Sequence, residues 1–288
     1  MKKIIRVFPR KTNATPLDDM VRFGNPGLFD QADEIHISVT FSWDLQKAEK
    51  LAEQWKMIAP VKIGGVATDN CKGEFIPGMY LKKGYVITSR GCPNKCWFCN
   101  VWKKFGNITE LKIKNGWNVL DDNLLACSEK HIRNVFKMLK KQKCPVQFTG
   151  GLEAARLKSW HIDLLLQLRL KQIFFAYDTP DDFEPLVQTS KLLKEAGIIK
   201  STSNVARCFV LIGYPKDTID KAEIRLNQTI DLGFMPMAMF YRDNEYKFNR
   251  NRPDKRKWNL FTREWANPII VGSKIYVLQH KIKLQRML

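Results

Sequence analysis

Apolar positions along this chain recur with a period of two in some stretches and of about 3.6 in others, and the two alternate. Glu34-Ile-His-Ile-Ser-Val-Thr40 alternates as a strand does. Leu45, Ala48, Leu51, Ala52 and Trp55 then recur at helical spacing, and Asp44 is placed to cap a helix over Leu45–Met57. Val61-Lys-Ile-Gly-Gly-Val66 predicts a second strand. Strand, helix and strand in that order imply a parallel pair with a right-handed crossover. Residues 1 to 80 therefore read as a small Rossmann-like α/β unit.

From Tyr85 the alternation becomes regular. Strands are predicted at Tyr85–Ser89, Val146–Thr149, Gln172–Tyr177, Ala206–Ile212 and Phe234–Tyr241, with a last one at Pro268–Val271. Between them, Ser128 can cap a helix that turns Ile132, Val135, Phe136 and Leu139 inward. Leu164–Leu170 reads as helical, Asp182–Ala196 as a helix stopped by Gly197, and Thr218 or Asp220 opens another that Gly233 closes. Residues 100–126 read as irregular, with a hairpin signal at Asn115-Gly116. Strands alternating with helices call for a parallel sheet covered by helices. In such folds the chemistry gathers at the carboxyl ends of the strands. There the sequence places Gly150-Gly151, Asp178, Gly213-Tyr214 and Tyr241-Arg242.

Composition narrows the setting. The 288 residues include 48 Lys plus Arg against 29 Asp plus Glu, a formal net charge of +19. That excess favours polyanions such as nucleic acid or phosphorylated substrates. A genome rich in lysine codons would give the same balance, and the basic residues are spread along the whole chain. Residues 242–257 interleave basic side chains with Tyr246 and Phe248, and Trp258, Phe261 and Trp265 follow. Charge for phosphates and rings for bases would suit a single-stranded nucleic acid; a solvated rim would explain the segment equally well. No stretch reaches the roughly 20 apolar residues of a membrane span, and the start of the chain does not read as a secretory signal. Seven cysteines without a framework spacing argue for a reducing, cytoplasmic setting.

Three of those cysteines carry the chemistry. Cys92-Pro-Asn-Lys-Cys96-Trp-Phe-Cys99 has Cys-x3-Cys-x2-Cys spacing. Soft thiolates suit iron–sulfur centres, and three of them leave one iron of a cubane open to a substrate or cofactor. Zinc with a distant fourth ligand, His131 or His161, is the competing reading. Cys71, Cys127, Cys144 and Cys208 share no short loop that would hold a second cluster.

Thr88-Ser-Arg-Gly-Cys-Pro-Asn-Lys-Cys-Trp-Phe-Cys99 resembles the signature of the radical S-adenosylmethionine (SAM) superfamily, over roughly residues 84–242. Its Ser-Arg-Gly-Cys-Pro is most similar to the subgroup whose barrel follows a cobalamin-binding domain. The resemblance implies a partial (βα)6 TIM-like barrel over residues 81–245, followed by a basic and aromatic extension over 246–288. It implies a 4Fe–4S cluster on Cys92, Cys96 and Cys99, whose unique iron chelates SAM. Reductive cleavage of the sulfonium then yields methionine and a 5′-deoxyadenosyl radical that abstracts hydrogen from a substrate. An external electron donor of flavodoxin or ferredoxin type is implied as partner. By the same resemblance Phe98 covers the adenine edge. Gly150 and Gly151, with Glu153 after an intervening leucine, resemble the segment that holds the methionyl ammonium. Asp178 stands where ribose is contacted, and Gly213 and Tyr214 where adenine packs. Tyr214 and Tyr241 would otherwise relay an electron or hydrogen, or pack as aromatics.

Two departures accompany the resemblance. Only about 20 residues separate Glu153 from the strand at Gln172, so one βα unit is expected to be short or missing. The N-terminal unit is small and lacks an Asp-x-His-x-x-Gly motif, so it reads as a reduced remnant and cobalamin is not expected. The substrate class stays open between a nucleic acid or nucleotide and a small molecule or peptide, with a non-catalytic iron–sulfur protein as the alternative outside enzymes.

Overall fold

A computed structural model describes residues 2–68, 73–200, 204–242 and 252–285. The chain divides into two compact units, Met1–Val86 and Ile87–Leu288.

The first unit is built on four parallel strands, β1 (Ile4–Val7), β2 (Val21–Arg22), β3 (Glu34–Ser38) and β4 (Val61–Gly64), in the order β2-β1-β3-β4. Helix α1 (Leu45–Trp55) joins β3 to β4 and buries Ala48, Leu51, Ala52 and Trp55, as its periodicity predicts. With Ile5, Val7, Ile35, Ile37 and Val39 they form one core. Asp44 sits at the helix start but does not cap it. Its carboxylate accepts from Arg10 Nε and Nη2, both at 2.9 Å, and a bidentate ion pair outcompetes a cap hydrogen bond. Strand β1 had no counterpart in the sequence pattern, because Arg6 interrupts it. Arg6 is nonetheless buried. Its guanidinium meets the Asp18 carboxylate and the carbonyls of Gly78 (3.2 Å) and Met79 (2.7 Å), which compensates the lost hydration. His36 on β3 contacts the Tyr80 hydroxyl through Nδ1 at 2.5 Å, a packing role. Strand β5 (Tyr85–Val86) ends the unit.

In the second unit, β6 (Ser89–Arg90) pairs antiparallel with β7 (Thr109–Glu110). The cysteine loop and the short helix α2 (Val101–Phe105) lie between them in sequence. Strands β8 (Asn118–Val119), β9 (Val146–Phe148), β10 (Leu170–Tyr177), β11 (Ala206–Ile212) and β12 (Met235–Phe240) lie side by side in chain order, each parallel to the next. Helices α3 (Glu129–Lys140), α4 (Ser159–Leu166), α5 (Phe183–Glu195) and α6 (Ile219–Asp231) connect successive strands. Ser128 Oγ caps α3 by accepting from His131 N, and Thr218 caps α6 through Lys221 N, both at 3.2 Å. Phe148, Phe175 and Phe234 are fully buried, and each such ring stabilises by about 1.5–3 kcal/mol. Both units are thus α/β, with parallel sheets and connecting helices.

Several elements differ from the sequence pattern. The Tyr85–Ser89 strand is divided between β5 and β6. Residues 100–126 hold β7 and β8 and show no hairpin at Asn115-Gly116. The stretch where a βα unit is expected to be short or missing holds the eight-residue helix α4, which starts at Ser159 and ends before Leu170; Leu170 opens β10. Pro268–Val271 is not a strand. It begins α8 (Pro268–Gln285), which follows α7 (Lys255–Ala266). Proline suits the first helical turn, and the Asn267 side chain accepts from Ile269 N at 3.0 Å. Trp258, Phe261 and Trp265 on α7 are buried, with Trp258 on Phe240 of β12 at 6.0 Å between centroids. Those three rings are core and not stacking platforms for bases. Tyr246 and Phe248 lie outside the described residues.

Candidate functional site

In the second unit the parallel strands β8 to β12 end on one side, and residues that follow β8, β11 and β12 contact the cysteine loop. Trp97, between Cys96 and Cys99, packs edge-on against Phe98 (5.3 Å) and Tyr214 (5.8 Å), and at a tilt against Tyr241 (5.5 Å). Tyr214 follows β11 and Tyr241 follows β12, so one ring ties the loop to two strand ends. Packing is what the structure shows for both tyrosines. Trp97 remains half exposed.

The approach to the first cysteine is fixed by Asp121, Asp122 and Asn123, which follow β8. The buried Asp121 carboxylate accepts from Thr88 N (2.6 Å), Thr88 Oγ1 and Ser89 Oγ (2.7 Å). Asp122 accepts from Gly91 N at 2.9 Å and pairs with Arg90 at 3.2 Å. Asn123 Nδ2 donates to Cys92 Sγ at 3.3 Å. Three consecutive residues thus hold five, Thr88 to Cys92, in register. Burial pushes both Asp121 and Asp122 above the ordinary carboxylate range, against the pull of these hydrogen bonds and of Arg90. Gly91 adopts φ +87°, and a Cβ there would lie 2.2 Å from the Asn107 carbonyl, so no other residue fits.

The sulfurs sense one another. Burial pushes the Cys96 thiol up to about 11, and the nearby Cys99 and Cys92 add to the shift. Cys99 is also pushed up by burial and pulled back by the backbone N–H of Val101. Three half-buried thiols with amide donors aimed at two of them fit an iron–sulfur cluster, whose cationic irons would relieve the repulsion between thiolates. Among the described residues no three His, Cys, Asp or Glu close around a single metal ion. His131 and His161, the candidates for a distant zinc ligand, sit on α3 and α4; His161 Nδ1 accepts from Lys158 N at 2.9 Å.

Gly150 and Gly151 separate in role. A Cβ on Gly150 would lie 2.4 Å from the Asp121 carbonyl, so this glycine lets the end of β9 approach the end of β8. Gly151, at φ +97°, has only the Phe174 carbonyl near its Cβ position, at 3.9 Å. The intervening Leu152 is buried and donates its N–H to Phe174 O at 2.7 Å. It anchors the turn, so that the Glu153 side chain comes back toward the cysteines. Glu153 Oε2 accepts from Asn123 Nδ2 and from Arg156 Nε, both at 2.6 Å. Burial, then the Asp182 carboxylate, push Asp178 up to about 7. Its charge is felt at Cys96 and Cys99. Asp182 is itself engaged by the N–H groups of Asp178 (2.9 Å) and Thr179 (2.7 Å).

Gly213 is enclosed. A Cβ would strike the Phe240 ring at 2.3 Å. Its N–H donates to Asp217 at 2.7 Å and its carbonyl accepts from Arg252 at 2.7 Å. Asp217 forms a buried pair with Arg225, whose guanidinium lies 5.2 Å from the Tyr214 ring centroid. Packing alone accounts for a glycine here, while Tyr214 beyond it meets Trp97. Asp121-Asp122-Asn123, Trp97 and Arg156 were not singled out from sequence. A two-residue strand such as β8 carries no readable period, although three polar residues after Asn-Val-Leu120 mark a strand end. No family model matches the chain, and no curated protein matches it.

Proposed function

We propose that this protein is a radical SAM enzyme. The observation that carries the reading is the place of the three-cysteine loop beside the ends of parallel strands, where Asn123 links Cys92 to Glu153 and Trp97 packs on Tyr214 and Tyr241. The five parallel strands β8 to β12 follow one another in chain order with a helix between each pair, as the βα repeats of the superfamily do. In this reading Cys92, Cys96 and Cys99 hold a 4Fe–4S cluster. When bound, the cluster and SAM supply one-electron cleavage of the sulfonium and a 5′-deoxyadenosyl radical for hydrogen abstraction. The chain's own residues position and shield. Asp121 and Asp122 fix the loop that carries Cys92. Glu153 offers a carboxylate to the methionyl ammonium beside the open face of Gly151. Asp178, protonated over much of the acidic range, offers hydrogen bonds to a ribose. Phe98, Trp97, Tyr214 and Tyr241 limit water at the mouth. The electron comes from an external flavodoxin- or ferredoxin-type donor.

The substrate class we propose is a nucleic acid or nucleotide, supported by the +19 charge. No helix of the described residues is long and apolar enough to cross a membrane. The test is anaerobic reconstitution with iron and sulfide, then reduction in the presence of SAM. Formation of 5′-deoxyadenosine supports the reading. A protein that carries zinc, or that shows no paramagnetic signal on reduction, refutes it.

A further inference from the structure

Asn123 donates to a sulfur and to a carboxylate with one amide nitrogen. Its Nδ2 is 3.3 Å from Cys92 Sγ and 2.6 Å from Glu153 Oε2. The carboxylate decides which way the amide faces: turned over, it would set Oδ1 against two acceptors at once. Glu153 is held in turn by Arg156 Nε at 2.6 Å. Asn123 is buried, and its Oδ1 has no partner among the described residues. The amide is therefore oriented by its Nδ2 contacts, with Glu153 as the partner that fixes it. Its backbone is set by the same turn that clamps Thr88 to Gly91.

We infer that Asn123 is a positioning residue that tunes the reduction potential of the cluster through an N–H···S bond to Cys92, with Glu153 and Arg156 fixing the donor. The inference rests on the cluster reading above. Reduction adds negative charge to the cluster and its sulfurs, so a donor aimed at sulfur favours the reduced form and raises the potential. Glu153 thereby serves the cluster through Asn123, a role separate from any contact with SAM.

The experiment is a redox titration of the reconstituted protein without SAM, followed by electron paramagnetic resonance. If the unaltered protein assembles no reducible cluster, the functional reading fails before Asn123 is tested. With a cluster present, Asn123→Leu removes the donor and keeps the number and branching of the side-chain heavy atoms. The expected result is a more negative potential, by on the order of tenfold in the reduction equilibrium or about 59 mV for a one-electron couple. Thr88→Val, which loosens the same turn without touching a sulfur, is expected to leave the potential in place. If Asn123→Leu does not retain iron, the smaller Asn123→Ser is titrated in its stead, with the same expected direction. An unchanged potential in the Asn123 variant overturns the inference, as does an equal shift in Thr88→Val. Loss of iron from all three variants overturns it too, leaving a structural role only.

Discussion

Asp121 and Thr88 are joined twice, through the backbone N–H at 2.6 Å and through the hydroxyl, and the pair is buried. This link holds the segment leading to Cys92 against the end of β8. Removing the carboxylate strands buried donors, each at about 1–3 kcal/mol. Asp121→Ala is therefore expected to destabilise the protein by about 3 kcal/mol or more, read as a lower urea midpoint. A midpoint within error of the unaltered protein would contradict the clamp.

On the radical SAM reading, each of Cys92→Ala, Cys96→Ala and Cys99→Ala loses the cluster, since no other cysteine shares their loop and Cys208 is buried in β11. Iron analysis after anaerobic reconstitution checks this. Full iron content in any single variant would remove the assignment.

Gly150 and Gly151 should respond differently. Gly150→Ala forces a Cβ into the Asp121 backbone at 2.4 Å, and is expected to cost about 2–4 kcal/mol of stability. Gly151→Ala meets open space and pays only for its positive φ, about 1–2 kcal/mol. If Gly151 borders the cofactor, this variant keeps its iron but binds SAM on the order of tenfold more weakly, about 1.4 kcal/mol. Equal SAM affinity, measured by equilibrium dialysis, would remove Gly151 from the site.

Asp178 predicts a pH dependence. Its folded value is raised to about 7 from an ordinary 3.8. Between those values the folded protein holds a proton that the unfolded chain has released. Stability then falls as pH rises through that window and levels off above it. Asp178→Asn should flatten this slope and make the metal-free protein more stable at pH 8, read as a higher melting temperature. A slope that survives the substitution would place its origin in other groups.

If the charge serves a polyanion, binding of tRNA or single-stranded DNA should weaken steeply with salt, log Kd rising linearly with log salt concentration. Filter binding at several salt concentrations measures this. Affinity that is absent or insensitive to salt would leave the basicity without that role.

Local chemistry was legible in the sequence. The cysteine spacing, the caps at Ser128 and Thr218, the inward faces of α1 and α3, and β11 with its full bounds follow from residues within one or two turns of each other. Side-chain period and capping are short-range properties, so one stretch suffices to set them. The clamp on Cys92 is different. Residues 121–123 meet residues 88–92 across some thirty positions, and β8 exists because β9 pairs with it rather than because Asn118-Val119 prefers extension. Arg6 in β1 and the buried tryptophans of α7 follow the same logic: partners distant in sequence turned a charge inward and aromatic rings away from solvent. The sequence determined which groups could do chemistry; the tertiary structure decided which of them meet, because hydrogen bonds and close backbone approaches between remote segments form only once the sheet has brought its strand ends together.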